Sequence, residues 1–136
     1  MAHLLLVGAY AGFQWTVRAL VYPQFTAVPA GASAAYERSH SQRISRVVGP
    51  LFAGQLVTTG WLLLDRPEGV RLLGVVVSAG CLVAVLGVTA LLAVPRHRQL
   101  TGGFDAAAYA GLLRADTLRV AAATANAVVS AWAVLG

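Results

Sequence analysis

Four apolar stretches, at about residues 4–21, 47–64, 72–94 and 118–135, fill most of this chain and leave little room for any other architecture. Each comes close to the ~20 residues that cross the ~30 Å hydrocarbon layer of a bilayer. Charged residues make up 11% of the chain and hydrophobic ones 58%, where a soluble domain carries about 25% and about 45–50%. A soluble core of this length would leave four apolar segments with no polar face to turn to water. The expected fold is all-α, an integral-membrane up-down four-helix bundle in a single domain over residues 1–136. The first stretch has no Lys or Arg before its apolar core and carries Arg18 within it, so it is expected to be retained rather than cleaved as a signal peptide near Gly31–Ala34.

The arginines set an expected topology. Arg38, Arg43 and Arg46 lie between the first two stretches, and Arg96, Arg98, Arg114 and Arg119 lie between or beside the last two. The opposite side carries only Arg66 and Arg71, beside Asp65 and Glu68. That imbalance puts both long connections in the cytoplasm and both termini outside the cytoplasmic membrane. The net charge of +5 then finds its partner in anionic headgroups of the lipid bilayer, and nucleic acid is not expected.

Other absences narrow the chemistry. All ten basic residues are arginine, which removes Schiff-base lysines, pyridoxal enzymes and the phosphate-binding lysine of a P-loop. Cys81 is the only cysteine, so neither an internal disulfide nor a CxxC site forms, and it reads as packing. HExxH, GxSxG and paired acidic metal motifs are missing, and none of the five carboxylates falls deep in an apolar stretch.

What remains is a set of polar residues that lipid tolerates poorly. Tyr10, Gln14, Arg18 and Tyr22 recur every fourth residue, forming a stripe that slants by about 40° per step. Arg18 near the end of a span is equally read as a snorkelling residue. His40, Arg43 and Arg46 begin a second face that continues to Gln55; it reads either as a headgroup-binding helix start or as an imidazole beside a cationic wall. Asp116, Arg119, Asn126 and Ser130 share a face of the fourth span, where Asp116 with Arg119 is readable as an exposed i,i+3 pair and Asn126 as interhelical glue. Pro95-Arg96-His97-Arg98 brings a second histidine to the same end, while His3 lies at the other. Glu37, three residues before His40, is placed to orient that ring or to pair with Arg38.

A pocket follows from these stripes, with His40, Arg18, Arg43 and Arg119 as catalytic candidates and Gln14, Tyr22, Gln55, His97 and Asn126 as substrate-binding ones. In it His40 moves protons and the arginines hold an anionic oxygen. No metal ligand set and no cofactor is expected; the second choice is copper, iron or haem through His40 and His97, a thin ligand set. Tyr22-Pro23-Gln24-Phe25, Val94-Pro95-x-His97-x-x-Leu100 and Leu113-Arg114-x-Asp116-x-x-Arg119 resemble, in order and spacing, the anthrone-oxygenase-like family of small four-helix membrane proteins. That family often has tryptophan or asparagine where this chain has Ala115 and Asp116. The resemblance implies oxidation of a hydrophobic small molecule, a polyketide-like phenol, by oxygen without metal or flavin. The competing expectation is a non-catalytic membrane subunit whose arginine-rich face grips anionic lipid or a partner protein; a homo-oligomer is left open by either.

Overall fold

Apolar runs of spanning length favour continuous helices even with glycines within them, because only a helix satisfies every backbone group within its own segment in lipid. The computed structural model describes residues 1–135 and is helical throughout apart from short connections. Helix α1 (Ala2–Thr16) runs on through a π turn, Val17–Val21, and a 3₁₀ turn, Tyr22–Ala27. Helix α2 (Ala30–Leu64) is unbroken over 35 residues. Helix α3 (Leu72–Val88) passes through a second π turn, Thr89–Ala93, into α4 (Val94–Leu100), and α5 (Ala106–Leu135) closes the chain. The result is an all-α bundle of four rods, each long and apolar enough to cross a membrane.

The rods are longer than the apolar stretches. The two long connections do not form separate short helices; they are extensions of α2, of α3 through α4, and of α5, which leave only tight links at residues 28–29 and 101–105. At about 1.5 Å per residue, α2 is ~52 Å long, well beyond the ~30 Å hydrocarbon layer. The extensions form the arginine-rich end of the bundle, where Val17, Tyr22, Phe25, Leu100, Ala108 and Leu112 make its core. Helix α1 begins and α5 ends at the opposite end, where the His3 imidazole is within 3.5 Å of Ser130 Oγ.

Both π turns end two residues before a proline, Pro23 or Pro95. Proline has no N–H to offer the carbonyl four residues back, and its ring collides with that carbonyl, so the turn before it widens. The α3–α5 seam is set by Gly74, where an added Cβ would fall on Ala133 Cβ, nearer than real Cβ atoms approach. By contrast Gly8, Gly12, Gly80 and Gly87, whose spacing also reads as close-packing seams, have nothing near an added Cβ. Gly74→Ala is therefore expected to lower stability by about 1–3 kcal/mol and Gly8→Ala by less than about 0.5 kcal/mol. Thermal unfolding of the two variants in one detergent checks the difference, and equal midpoints would place the seam elsewhere.

Candidate functional site

The two prolines place the site. An α-helical step of four residues overshoots one turn, so the stripe Tyr10, Gln14, Arg18, Tyr22 drifts around α1; the wider π turn at Val17–Val21 takes back part of that drift. Tyr22 is consequently buried, with 1% of its surface exposed. The π turn at Thr89–Ala93 acts in the same region of the neighbouring rod, just before His97. The Tyr22 and His97 rings stand 6.0 Å apart, centre to centre.

Four side chains from four rods join there in one line. His97 Nδ1 is 2.6 Å from Glu37 Oε1, and His97 Nε2 is 3.3 Å from the Tyr22 hydroxyl. A carboxylate only accepts, so with Glu37 ionised His97 donates from Nδ1, leaving Nε2 to accept from Tyr22. Arg119 Nη2 donates to the same Tyr22 oxygen at 2.8 Å. Ser41 Oγ holds Glu37 Oε1 from the side at 2.7 Å. The line is a carboxylate, an imidazole, a phenol and a guanidinium, and it can carry a proton away from the phenol while the cation stabilises the oxygen left behind.

A second knot underlies it. The Asp116 side chain has no exposed surface and accepts from Gln14 Nε2 at 2.5 Å and from Arg119 Nη2 at 3.4 Å on Oδ1, and from Arg18 Nη1 at 3.5 Å on Oδ2. Arg18 also donates to the Leu113 carbonyl, and Tyr10 donates to Gln14 Oε1. Asp116 with Arg119 is thus a buried pair and not a solvated one, and the carboxylates do reach the interior. Two arginines and two carboxylates, Glu37 and Asp116, offset one another in the packed region.

Beside this network lies a cavity of about 300 Å³, at the lower end of the range for small-molecule pockets. Phe13, Val17, Ile44, Val48, Ala93 and Val94 form its apolar walls; Gln14, Tyr22, His97 and Arg119 bring the polar network to its surface. Exposed Ser45 and Arg98 also line it, so the cavity opens between α2 and the α3–α4 rod.

Of the residues singled out from sequence, the structure gathers Gln14, Arg18, Tyr22, His97 and Arg119. His40 stacks on His97 with ring centres 5.5 Å apart, but its Nε2 is buried without a partner and it stands behind His97, off the cavity wall. Glu37 orients His97 rather than His40, and it does not pair with Arg38, which donates instead to the Thr101 carbonyl. Arg43 is exposed and off the cavity. The face of α2 that lines the cavity runs through Ser41, Ile44, Ser45 and Val48, and Arg43 falls outside it. Gln55 and Asn126 belong to a separate knot at the terminal end. There Asn126 Nδ2 reaches Gln55 Oε1, Ser78 donates to Asn126 Oδ1 at 2.6 Å, and His3 bridges Thr58 and Ser78. An apolar layer of Tyr10, Val85, Ala123 and Phe52 divides the two knots.

Sequence reasoning missed Glu37 as the partner of His97 and Asp116 as a buried counter-ion. The signal for Asp116 was its i,i+3 spacing to Arg119; nothing local marks a pair 60 residues apart in sequence. The second-choice metal reading through His40 and His97 meets an occupied imidazole, since both nitrogens of His97 are engaged. Among the described residues, no three His, Cys, Asp or Glu side chains are grouped to hold a metal. Comparison with family models, with curated proteins and with solved structures gives no match, so the chemistry of this chain is read from its own residues.

Proposed function

We propose that this multi-pass membrane protein is an oxygenase-type oxidoreductase acting on a lipid-soluble hydroxyaromatic substrate. The observation that carries the reading is the Glu37–His97–Tyr22–Arg119 line on the wall of an apolar cavity that opens sideways. A ring CH₂ activated by a neighbouring carbonyl gives up a proton to the Tyr22–His97 pair, and Arg119 stabilises the oxygen of the resulting enolate. The anion forms a C–O bond with dioxygen and takes a proton to give a hydroperoxide; loss of water then leaves a carbonyl. The sum is CH₂ plus O₂ to C=O plus H₂O, which balances without an added reductant. His97 takes the role that spacing alone gave to His40, because His97 is the imidazole with a carboxylate behind it and a phenol before it.

The direct test is oxygen uptake by the protein in zwitterionic nanodiscs supplied with an anthrone. Expected is one O₂ consumed per quinone formed, at a rate unchanged by Arg43→Ala. Absence of both uptake and anthrone binding would overturn the reading. The exposed arginines Arg43, Arg46 and Arg114 favour a second reading, a non-catalytic subunit that binds anionic lipid. A silent oxygen electrode together with tight, Arg43- and Arg46-dependent binding to anionic vesicles would support that one.

The arginine-rich end is assigned to the cytoplasm and both termini to the outer side of the cytoplasmic membrane, on the charge imbalance alone. In a Cys81→Ala background, a membrane-impermeant maleimide added to intact cells is expected to label Glu68→Cys and to spare Asp105→Cys. The reverse pattern would invert the topology.

A further inference from the structure

The charges around the cavity are unevenly spent. Arg119, with 9% of its side chain exposed, is held by Asp116 and Tyr22, and Arg18 shares the same carboxylate. Glu37 is engaged by His97 and Ser41. At the arginine-rich end Arg38 is bonded to the Thr101 carbonyl and Arg96 to Gln99. Arg98 differs from all of these. Its guanidinium has no hydrogen bond or ion pair among the described residues, it is exposed, and it lines the cavity mouth. Its backbone carbonyl accepts from Thr101.

We propose that Arg98 is the specificity residue of the cavity and that the preferred ligand is an aromatic acid, carrying a carboxylate at the end that faces the mouth. The proposal rests on the reading of the cavity as a ligand site given above. Orientation follows from the walls. Deep in the cavity a carboxylate would meet Glu37 and Asp116 behind His97 and Arg119, in a region already neutral. At the mouth, beside Ser45 and Thr101, it keeps part of its hydration and gains an unpaired cation. The apolar rings then lie against Phe13, Ile44 and Val48, with the reacting carbon nearest Tyr22.

The test is binding of anthracene-2-carboxylate and of its methyl ester, by fluorescence, to the protein in zwitterionic nanodiscs. The acid is expected to bind about three- to tenfold more tightly than the ester. Arg98→Gln is expected to abolish that preference, and Arg43→Gln, off the cavity, to keep it. Equal binding of acid and ester to the wild-type protein overturns the role of Arg98 and leaves the cavity reading standing. Binding of neither overturns the cavity reading itself. A preference for the acid that survives Arg98→Gln but is lost in Arg43→Gln assigns it to the general surface charge and also sinks the proposal. An acid preference that anionic nanodiscs suppress in the wild-type protein, leaving it no greater than in Arg98→Gln, would assign Arg98 to a headgroup instead.

Discussion

Asp116→Ala is expected to cost about 3–5 kcal/mol of bundle stability, because it leaves two cations with no counter-ion. The two arginines then fare differently. Arg18, with 37% of its side chain exposed, can turn its head towards the interface. Arg119, with 9% exposed, keeps, among the described residues, only its bond to the Tyr22 hydroxyl. The penalty therefore resides mostly in Arg119, and the double variant Asp116→Leu with Arg119→Met should recover most of it, since a buried ion pair and an apolar pair of similar volume differ little. Reversible unfolding of the single and the double variant in mixed micelles measures both numbers. A single-variant loss below about 1 kcal/mol would show that Asp116 is neutral or solvated in the native state, contrary to the geometry.

His97→Ala is the second large effect. Turnover of an anthrone is expected to fall by about 10²–10⁴, the range for loss of a general base, while binding of the aromatic ligand changes little. Glu37→Gln keeps the shape but removes the charge that holds Nδ1–H, and it should lose a smaller factor in kcat with KM unchanged. Tyr22→Phe should resemble His97→Ala, as both break the line at adjacent atoms. His40→Ala separates this reading from the spacing-based one: it removes a ring that packs on His97 and carries no hydrogen bond to it, so its effect should be the mildest of the four. A His97→Ala protein that turns over at full rate, beside a dead His40→Ala protein, would return the base to His40.

The four spans and their antiparallel order were legible because hydropathy acts over a length that sequence displays directly. The ends of the helices were not. Setting the fourth span to begin at 118 made Asp116 a boundary residue, whereas α5 starts at Ala106 and carries Asp116 three turns inside. The same shift explains Glu37, which sits two turns into α2. Polar residues continue a helix without leaving a hydropathy signal, so the arginine-rich extensions were read as connections. The stripe on α1 was legible through Tyr22 because it is periodic; that Tyr22 keeps its place despite the drift rests on a π turn that periodicity takes no account of. The pairing of Glu37 with His97, and of Gln14 with Asp116, depends on which rods become neighbours, and no local pattern encodes that. Gln55 and Asn126 were read as lining the pocket, whereas they belong to the other knot, because the sequence does not show the apolar layer that separates the two knots.

The sideways mouth between α2 and the α3–α4 rod has a consequence for how any ligand of this cavity is counted. On the ligand-site reading proposed above, a molecule that partitions into the leaflet would reach this mouth by diffusing in two dimensions, so the concentration that governs occupancy would be its mole fraction among the lipids. Occupancy then follows the partition coefficient and is diluted by added bilayer at constant bulk amount, and a poorly water-soluble compound is delivered to the cavity at high local density.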